Sequence, residues 1–333
     1  MSRPTISDIA RLSGVSKGTV SRVLNDSPRV SAEARAAVME AIQRADYQIN
    51  AHARSLSTGR NNAIALLVVA AQHQLFSDPT FVELIEGVRE GLSGTELSLV
   101  MLMGGSEAED RRTVSYIGAG HVDGLIHLNP FLDDPITKGI TNSPLPLVLC
   151  GPRPPHPLPR LSWTVAVDDA GGTIQALNHL AAKGAEHIAM IGGDPRAVGA
   201  RARVDAYRSW QGERFDAALV EHGDFGYESG RVSLDKLLDR CPQMDAVFCA
   251  SDRMAMGALE AARRRGRRVP GDLLVVGFDD QQVAATADPP LTTVSQPIRE
   301  IGQEAAAVLM AAMTGQTPSD RLFSTRLIVR ESA

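Results

Sequence analysis

The chain has 333 residues, 44% hydrophobic and 22% charged, which is the composition of a soluble globular protein with room for two or three domains. Its N-terminus lacks a signal-peptide pattern and no apolar run is long enough to cross a bilayer, so the sequence argues against a membrane protein and predicts a cytoplasmic one. Cys150, Cys241 and Cys249 lack metal-ligand spacing, and their odd number without an export signal predicts reduced thiols and no metal site.

The formal net charge of −5 is distributed unevenly along the chain. Residues 1–60 contain nine lysines and arginines and five acidic residues, so this head carries +4 and the remainder −9. Phosphate groups attract a local cluster of positive charge whatever the net charge of the whole chain. The uneven distribution therefore indicates a nucleic-acid contact near the N-terminus. A charge fluctuation on a solvated surface is the alternative.

The first 49 residues predict three short helices. Thr5 begins a capping box with an aspartate at its fourth position, Ser16 can cap a second helix, and Ser31 can cap a third. The second helix lies in the stretch GVSKGTVSRVLN, residues 14–25, and has an apolar face and a polar face. Two helices joined by a turn with glycine, and a third that closes the core, predict a helix-turn-helix unit.

The polar face of the second helix is the predicted DNA-contact surface. Lys17 and Arg22 can donate to guanine O6 and N7, while serine and asparagine suit phosphate oxygens and Gly18 permits close approach. A helical hairpin that binds proteins is the alternative, and the charge asymmetry favours DNA. The predicted contacts of this head are Thr5, Ser16, Lys17, Gly18, Thr19, Ser21, Arg22, Asn25, Ser31 and Tyr47.

From residue 61 onward, apolar strand-like runs alternate with helical segments. The runs are 63–70, 97–104, 124–129, 145–151, 187–193, 246–251 and 273–278. Such alternation predicts two doubly wound parallel sheets, and ligands of such folds bind at the carboxyl ends of strands.

Polar residues at those strand ends are the candidate ligand contacts. Asp279 follows the last run, Ser251 and Asp252 end or follow the run before it, and Arg203 lies in the helix after residues 187–193. Asp252 could instead be a helix N-cap.

The sequence contains no motif of a known catalytic class. It has no P-loop, no H-E-x-x-H and no cluster among its eight histidines, and its G-x-S-x-G match at residues 14–18 lies in the predicted helix-turn-helix, not between a strand and a helix. The glycine-rich stretch 192–199 could cradle a phosphate, but a tight strand-to-helix turn explains it. We therefore expect neither an enzyme nor a cofactor.

The stretch PTISDIARLSGVSKGTVSRVLNDSPRV closely resembles the headpiece of the LacI/GalR family of bacterial transcription regulators. The segments SDRMAMGALEAARRRGRRVPGDLLVVGFDD and TRLIVRESA extend the resemblance over essentially the whole chain. It implies an α/β protein with a helix-turn-helix headpiece (1–49), a hinge helix or linker (50–60) and a two-lobed periplasmic-binding-protein-like core (61–333) that binds the effector and dimerises.

The same resemblance implies three crossings between the lobes, which we place near 160–163, 286–293 and 318–323. The expected boundaries are 61–161 and 291–320 for lobe one, and 162–290 and 321–333 for lobe two. The hinge helix is implied to pair with that of a second subunit in the minor groove, with Leu56 as the wedge between base steps. Core packing is the alternative for Leu56. The implied hinge contacts are Asn50, Ala53, Arg54 and Leu56.

For the ligand site, Arg203 and Asp279 match family positions that hold ligand hydroxyls, and an arginine fork with a carboxylate suits a sugar diol. Phe225 matches an aromatic that stacks on the ligand. Ser251 stands where the family commonly has asparagine, which leaves the type of sugar open. The implied effector contacts are Phe76, Phe81, Arg203, Phe225, Ser251, Asp252, Asp279 and Gln296.

The resulting hypothesis is a homodimer, or a larger assembly, that represses transcription from a palindromic operator DNA under the control of a small-molecule effector. We expect a sugar, with a glucose-containing disaccharide as the first choice, and either inducer or corepressor action. The alternatives are a non-sugar effector such as a nucleobase, or a solute-binding or sugar-handling protein of the same fold.

Overall fold

The computed structural model describes residues 4–24, 27–47, 60–69 and 77–333. The chain divides into two compact units, Met1–Asn61 and Asn62–Ala333. Among the described residues, no helix is both long and apolar enough to cross a membrane. Six of the predicted contacts lie outside the described residues, namely Asn25, Asn50, Ala53, Arg54, Leu56 and Phe76.

The described residues of the first unit contain three helices, α1 (Ile6–Ser13), α2 (Lys17–Leu24) and α3 (Ala32–Ala45). Thr5 donates to the Asp8 carboxylate, as the capping box predicts. The Ser16 hydroxyl accepts from the Thr19 amide at 3.1 Å, and Ser31 caps α3. The apolar faces of the three helices meet in one small core that contains Ile9, Ala10, Val20, Val23, Val38 and Ala41.

The second unit alternates strands and helices, with two short 3-10 turns (Gly212–Arg214 and Ala217–Leu219) before its seventh strand. In chain order its elements are β1 (Ala63–Val69), α4 (Pro79–Gly91), β2 (Ser98–Gly104), α5 (Glu107–Gly118), β3 (Gly124–Leu128), α6 (Pro135–Gly139), β4 (Leu147–Cys150), β5 (Ser162–Val167), α7 (Asp169–Ala182), β6 (Ile188–Gly192), α8 (Val198–Gln211), β7 (Val220–His222), α9 (Tyr227–Arg240), β8 (Ala246–Cys249), α10 (Asp252–Arg264), β9 (Leu274–Asp279), α11 (Gln282–Thr286), β10 (Thr292–Ser295), α12 (Ile298–Met313), β11 (Arg321–Phe323) and β12 (Arg326–Ile328).

The strands form two six-stranded sheets, one in each lobe. The first sheet has the order β11-β5-β4-β3-β1-β2, with every pair parallel. The second has the order β12-β10-β9-β8-β6-β7 and is parallel except at β12. Strand β10 leads out of the second sheet toward lobe one and β12 returns from it, so these two neighbours run in opposite directions. The predicted α/β fold class with two parallel sheets is therefore confirmed, except that the edge strand β12 is antiparallel to β10.

The three crossings between lobes differ from the predicted positions. Strand β5 belongs to the first sheet, so the first crossing follows Val167 and lies beyond 160–163. Strand β10 belongs to the second sheet, so the second crossing follows Ser295 and lies beyond 286–293. The third follows β11, which belongs to the first sheet. The predicted lobe boundaries were wrong by several residues because β5, β10 and β11 are short and carry serine, threonine and arginine, so they do not give a strong apolar run.

Each lobe contains one helix pair that crosses at glycines. In lobe one, a Cβ on Gly87 of α4 would clash with the Arg299 carbonyl oxygen, and one on Gly302 of α12 with that of Leu84. In lobe two, a Cβ on Gly257 of α10 would clash with the backbone of α9. Glycine at these positions lets helix backbones touch, and each pair covers one face of its sheet.

We expect Gly257→Ala to destabilise the core by about 1–3 kcal/mol, because the added methyl group forces α9 and α10 apart. Gly118→Ala is the matched control: Gly118 is exposed at the end of α5 with nothing near its Cβ position, so alanine should be neutral or stabilise the helix by up to about 1 kcal/mol. Urea unfolding of the two variants measures the difference. Equal midpoints for Gly257→Ala and the unmodified chain would contradict the close-packing argument.

Candidate functional site

A cleft of about 140 Å3 lies between the two lobes, where the carboxyl ends of strands from both sheets approach each other. The structure brings five of the predicted effector contacts to its walls: Phe81, Arg203, Phe225, Asp279 and Gln296.

The Arg203 guanidinium is fixed at the lobe-two wall of the cleft. Its Nε donates to Asp169 Oδ1 at 2.8 Å, and its Nη1 donates to the Ala250 carbonyl oxygen at 2.5 Å. The guanidinium carbon lies 3.5 Å from the centre of the Phe278 ring. Only 8% of Arg203 is exposed, so its charge depends on these partners and on whatever occupies the cleft.

Asp279 ends β9 opposite this arginine. Its Oδ1 accepts from Gln296 Nε2 at 2.6 Å. Burial raises the pKa of Asp279 well above its usual value, the Arg203 charge opposes this, and the nearby carboxyls of Asp252 and Asp78 reinforce it. The carboxyl is therefore short of hydrogen-bond donors, and a ligand that supplies them would stabilise its charged form.

Three cleft residues have left-handed backbone conformations that non-glycine residues rarely adopt. Their φ angles are 52° at Asn129, 65° at Phe225 and 114° at Asp279. Such conformations cost on the order of 1–3 kcal/mol each and persist where the surrounding fold imposes them. Asn129 follows β3 and Asp279 ends β9, so this strain occurs at the strand ends that border the cleft.

Phe81 and Phe225 supply aromatic walls from opposite lobes. A Cβ on Gly193 would overlap the Phe225 ring, so the ring lies directly against this glycine. The Ser251 hydroxyl donates to the Phe225 carbonyl oxygen at 3.2 Å and accepts from the Met254 amide, which caps α10. Cys150, also in the wall, is a free buried thiol whose pKa burial raises to about 12, so it stays neutral.

Two predicted contacts lie outside the walls of the cleft. Ser251 is 2% exposed, because it caps α10 and holds Phe225. Asp252 is fully buried behind the cleft and accepts from the Thr293 hydroxyl and the Gln281 amide. Burial raises the pKa of Asp252 to about 7. Neither residue lines the cleft, because the residues after β8 turn into α10 and away from it.

The sequence interpretation missed four polar residues of the walls: Asp78, Thr80, Asn129 and Asp169. Asn129 follows a recognised strand, and the rule that selected Asp279 would have found it. Asp169 follows β5, which was not recognised as a strand. Asp78 caps α4 and lies nine residues after the end of β1, too far along the chain for the strand-end rule to select it.

The lobes also contact each other beside the cleft. Gln281 Nε2 donates to Asp78 Oδ1 at 3.1 Å and to Thr80 Oγ1 at 2.9 Å. Arg253 lies 3.6 Å from the Asp78 carboxylate. On another side of the cleft, Phe131 of lobe one and Ala197 of lobe two form an isolated antiparallel β-bridge.

In the headpiece unit, α2 has the divided surface that its sequence predicts. Val20 and Val23 are buried, while Lys17, Gly18 and Arg22 are exposed. Ser21 and Thr19 are half-buried, and the Thr19 hydroxyl pairs with that of Ser16 at 2.9 Å.

These features define a class: a helix-turn-helix headpiece and a two-lobed core with a ligand cleft. Two family models match the chain, "bacterial regulatory proteins, lacI family" over residues 5–50 and "periplasmic binding protein-like domain" over residues 177–333. The HTH-type transcriptional regulator CelR of Thermobifida fusca is 40% identical over 99% of this chain and 98% of its own length. The HTH-type transcriptional repressor CytR of Escherichia coli K12 is 32% identical over 98% of this chain and 96% of its own.

Two solved structures extend the comparison. A transcriptional regulator CelR–cellobiose complex superposes with a TM-score of 0.78 at 38% identity, covering 99% of this chain and all of that one. A Lac repressor dimer bound to operator and the anti-inducer ONPF superposes with a TM-score of 0.84 at 26% identity, covering 99% of each chain. The chain belongs to the LacI family of bacterial regulatory proteins, and it is a transcription regulator of that family. This confirms the resemblance found in the sequence.

Proposed function

We propose that this regulator is a dimeric repressor of a palindromic operator, and that a neutral, hydroxyl-rich ligand bound in the cleft controls it. The charged groups in the walls of the cleft are the main observation that supports a neutral ligand. Among the described residues, its walls present the carboxyls of Asp78, Asp169 and Asp279 and one cation, Arg203, which Asp169 already engages; Arg253 pairs with Asp78 from beside the cleft. An anionic ligand would add to this negative charge, whereas sugar hydroxyls donate hydrogen bonds to it.

The apolar part of the cleft also suits a sugar. Phe81 and Phe225 face the cleft from the two lobes, and Leu84, Val165 and Ile298 complete an apolar surface. A site with many apolar atoms and a few placed polar groups binds amphipathic rings, whose C–H faces pack on aromatic side chains. The related CelR structure contains cellobiose, and this supports a glucose disaccharide as the first candidate.

Dimer formation is supported by the free edge of the first sheet. In that sheet as described, β2 is an edge strand, and Met101 on it is 42% exposed. Val82 on α4 is 49% exposed. Exposed apolar residues next to an open strand edge favour pairing with a second copy. A two-fold dimer presents one recognition helix to each half of a palindrome.

In this proposal α2 enters the major groove of the operator, with Lys17 and Arg22 at base edges and Ser16 and Ser21 at phosphates. Residues 50–60 form the hinge, with Leu56 as the minor-groove wedge. Effector binding in the cleft changes the relative population of two core conformations that differ in operator affinity. Because operator DNA lies in the bacterial cytoplasm, the proposal places the protein there.

Arg22→Ala should lower operator affinity by about 1–3 kcal/mol and relax base preference at one position in each half-site, because it removes contacts to a base edge. Arg44→Ala, on the exposed part of α3, is the matched control for loss of one positive charge and should weaken specific and non-specific binding equally and slightly. Fluorescence anisotropy with an operator selected by the unmodified protein, and with a scrambled duplex, measures both. Equal specificity ratios for the two variants would reject Arg22 as a base contact.

Asp279→Asn should lower effector affinity roughly ten- to a hundred-fold, because it removes a charged acceptor of ligand hydroxyls while keeping the shape. Arg203→Ala should also lower effector affinity, and in addition it leaves the Asp169 carboxyl buried without its cation. Asp205→Asn is the control, since Asp205 is exposed and pairs with Arg201. Calorimetric titration with cellobiose is the measurement. Unchanged affinity in a folded Asp279→Asn protein would remove this residue from the site, and a screen that finds a nucleobase in place of sugars would overturn the sugar assignment.

A further inference from the structure

The cleft continues into a second, smaller space. We call the 140 Å3 cavity the inner compartment and the adjoining cavity of about 20 Å3 the outer compartment. Asp78, Phe81, Asn129 and Phe225 line both. Phe131, Asp194, Asp224 and Arg253 line the outer compartment and not the inner one.

Size decides how much of a ligand each compartment can hold. A protein cavity of roughly 150 Å3 holds one benzene ring, and roughly 10–15 Å3 holds one water molecule. The inner compartment is therefore the size of a single six-membered ring, whereas the outer compartment holds only a water molecule until one of its lining side chains moves aside. A ligand with two linked rings must therefore extend beyond the inner compartment. Because the two cavities share wall residues, the second ring extends toward the outer compartment.

The outer compartment has the chemistry of a sugar subsite. Phe131 supplies a half-buried aromatic ring. Burial alone would raise the pKa of Asp224, but the Ser229 side chain and the Gly226 amide, which donates to Oδ1 at 2.8 Å, outweigh it and lower the pKa, so the carboxylate is charged at neutral pH. A charged carboxylate beside an aromatic ring can accept hydroxyl hydrogens while the ring packs on a C–H face.

The two sides of the outer compartment differ in how easily they move. On one side, Leu132 N donates to the Arg196 carbonyl oxygen at 2.7 Å and Val198 N to that of Pro130 at 3.2 Å, and these backbone bonds join the lobes rigidly. On the other side, a single long side chain, Arg253, reaches the Asp78 carboxylate at 3.6 Å and the Ser77 hydroxyl at 3.1 Å. A partly exposed ion pair at this distance is weak, so an entering group displaces Arg253 more readily than the backbone.

We infer that a second sugar ring of the effector binds in the outer compartment, against Phe131 and with its hydroxyls on Asp224, and that this subsite makes the regulator select oligosaccharides over monosaccharides. The inference rests on the proposed sugar-binding function and deepens it. The second ring displaces Arg253 from Asp78 and so breaks a contact between the lobes, which a single ring in the inner compartment leaves intact.

The test is calorimetric titration of the full chain with glucose, cellobiose and cellotriose. The unmodified protein should bind cellobiose at least about tenfold more tightly than glucose. Phe131→Ala and Asp224→Asn should each lower cellobiose affinity about tenfold and leave glucose affinity within about twofold. The asparagine amide oxygen can still accept from Gly226 N, so Asp224→Asn preserves the local turn if Phe131→Ala disturbs it.

Gln296→Ala is the matched inner-compartment variant, and it should weaken glucose and cellobiose by the same factor. If Phe131→Ala and Asp224→Asn leave cellobiose affinity unchanged, or lower glucose affinity equally, the second subsite is rejected while the sugar-binding function stands. If the unmodified protein binds none of the three sugars, the proposed function itself fails.

Discussion

The buried guanidinium of Arg203 is the interaction on which the cleft depends. It ties together four segments of lobe two: Asp169 at the start of α7, Ala250 after β8, Phe278 in β9 and its own helix α8. A buried charge is tolerated only when it is paired and hydrogen-bonded, so these contacts fix the carboxyl edge of the second sheet. Asp279 remains opposite this group with Gln296 as its donor, and the cleft keeps more carboxyls than cations.

The polar groups of the cleft lie on the segments that connect the two lobes. Asp169 follows the first crossing and Gln296 lies in the second, so the polar groups of the cleft lie where the chain passes between lobes. A ligand that donates hydrogen bonds to these groups binds the crossing segments and both lobes at once. In the proposed function, any difference in its affinity for two lobe arrangements becomes a difference in operator affinity, and coupling of this kind typically amounts to about 1–3 kcal/mol.

The sequence could predict those features that depend on residues close together in the chain. The helices of the headpiece were recognisable because their caps at Thr5, Ser16 and Ser31 and their apolar spacing lie within a few residues. Asp279 was expected at the cleft because polar residues at strand ends border clefts in this fold class, and Arg203 because it matches a family position, and both line the cleft. The crossings were misplaced because β5 and β10 owe their stability to neighbours distant in sequence. Ser251 and Asp252 lie behind the cleft and not in its walls, because the direction of a side chain after a strand depends on partners such as Phe225 and Thr293, which periodicity does not reveal.

The proposed response to neutral sugars depends on the surplus of carboxyls over cations in the described walls of the cleft. It is tested most directly by titrating the operator-bound protein with cellobiose and with cellobionate, which carries an additional carboxylate, and following operator affinity by anisotropy. Cellobiose should change operator affinity, and cellobionate should require at least about a hundredfold higher concentration, as expected for a negative charge buried next to the carboxyls of the cleft. An equal response to both compounds would contradict it.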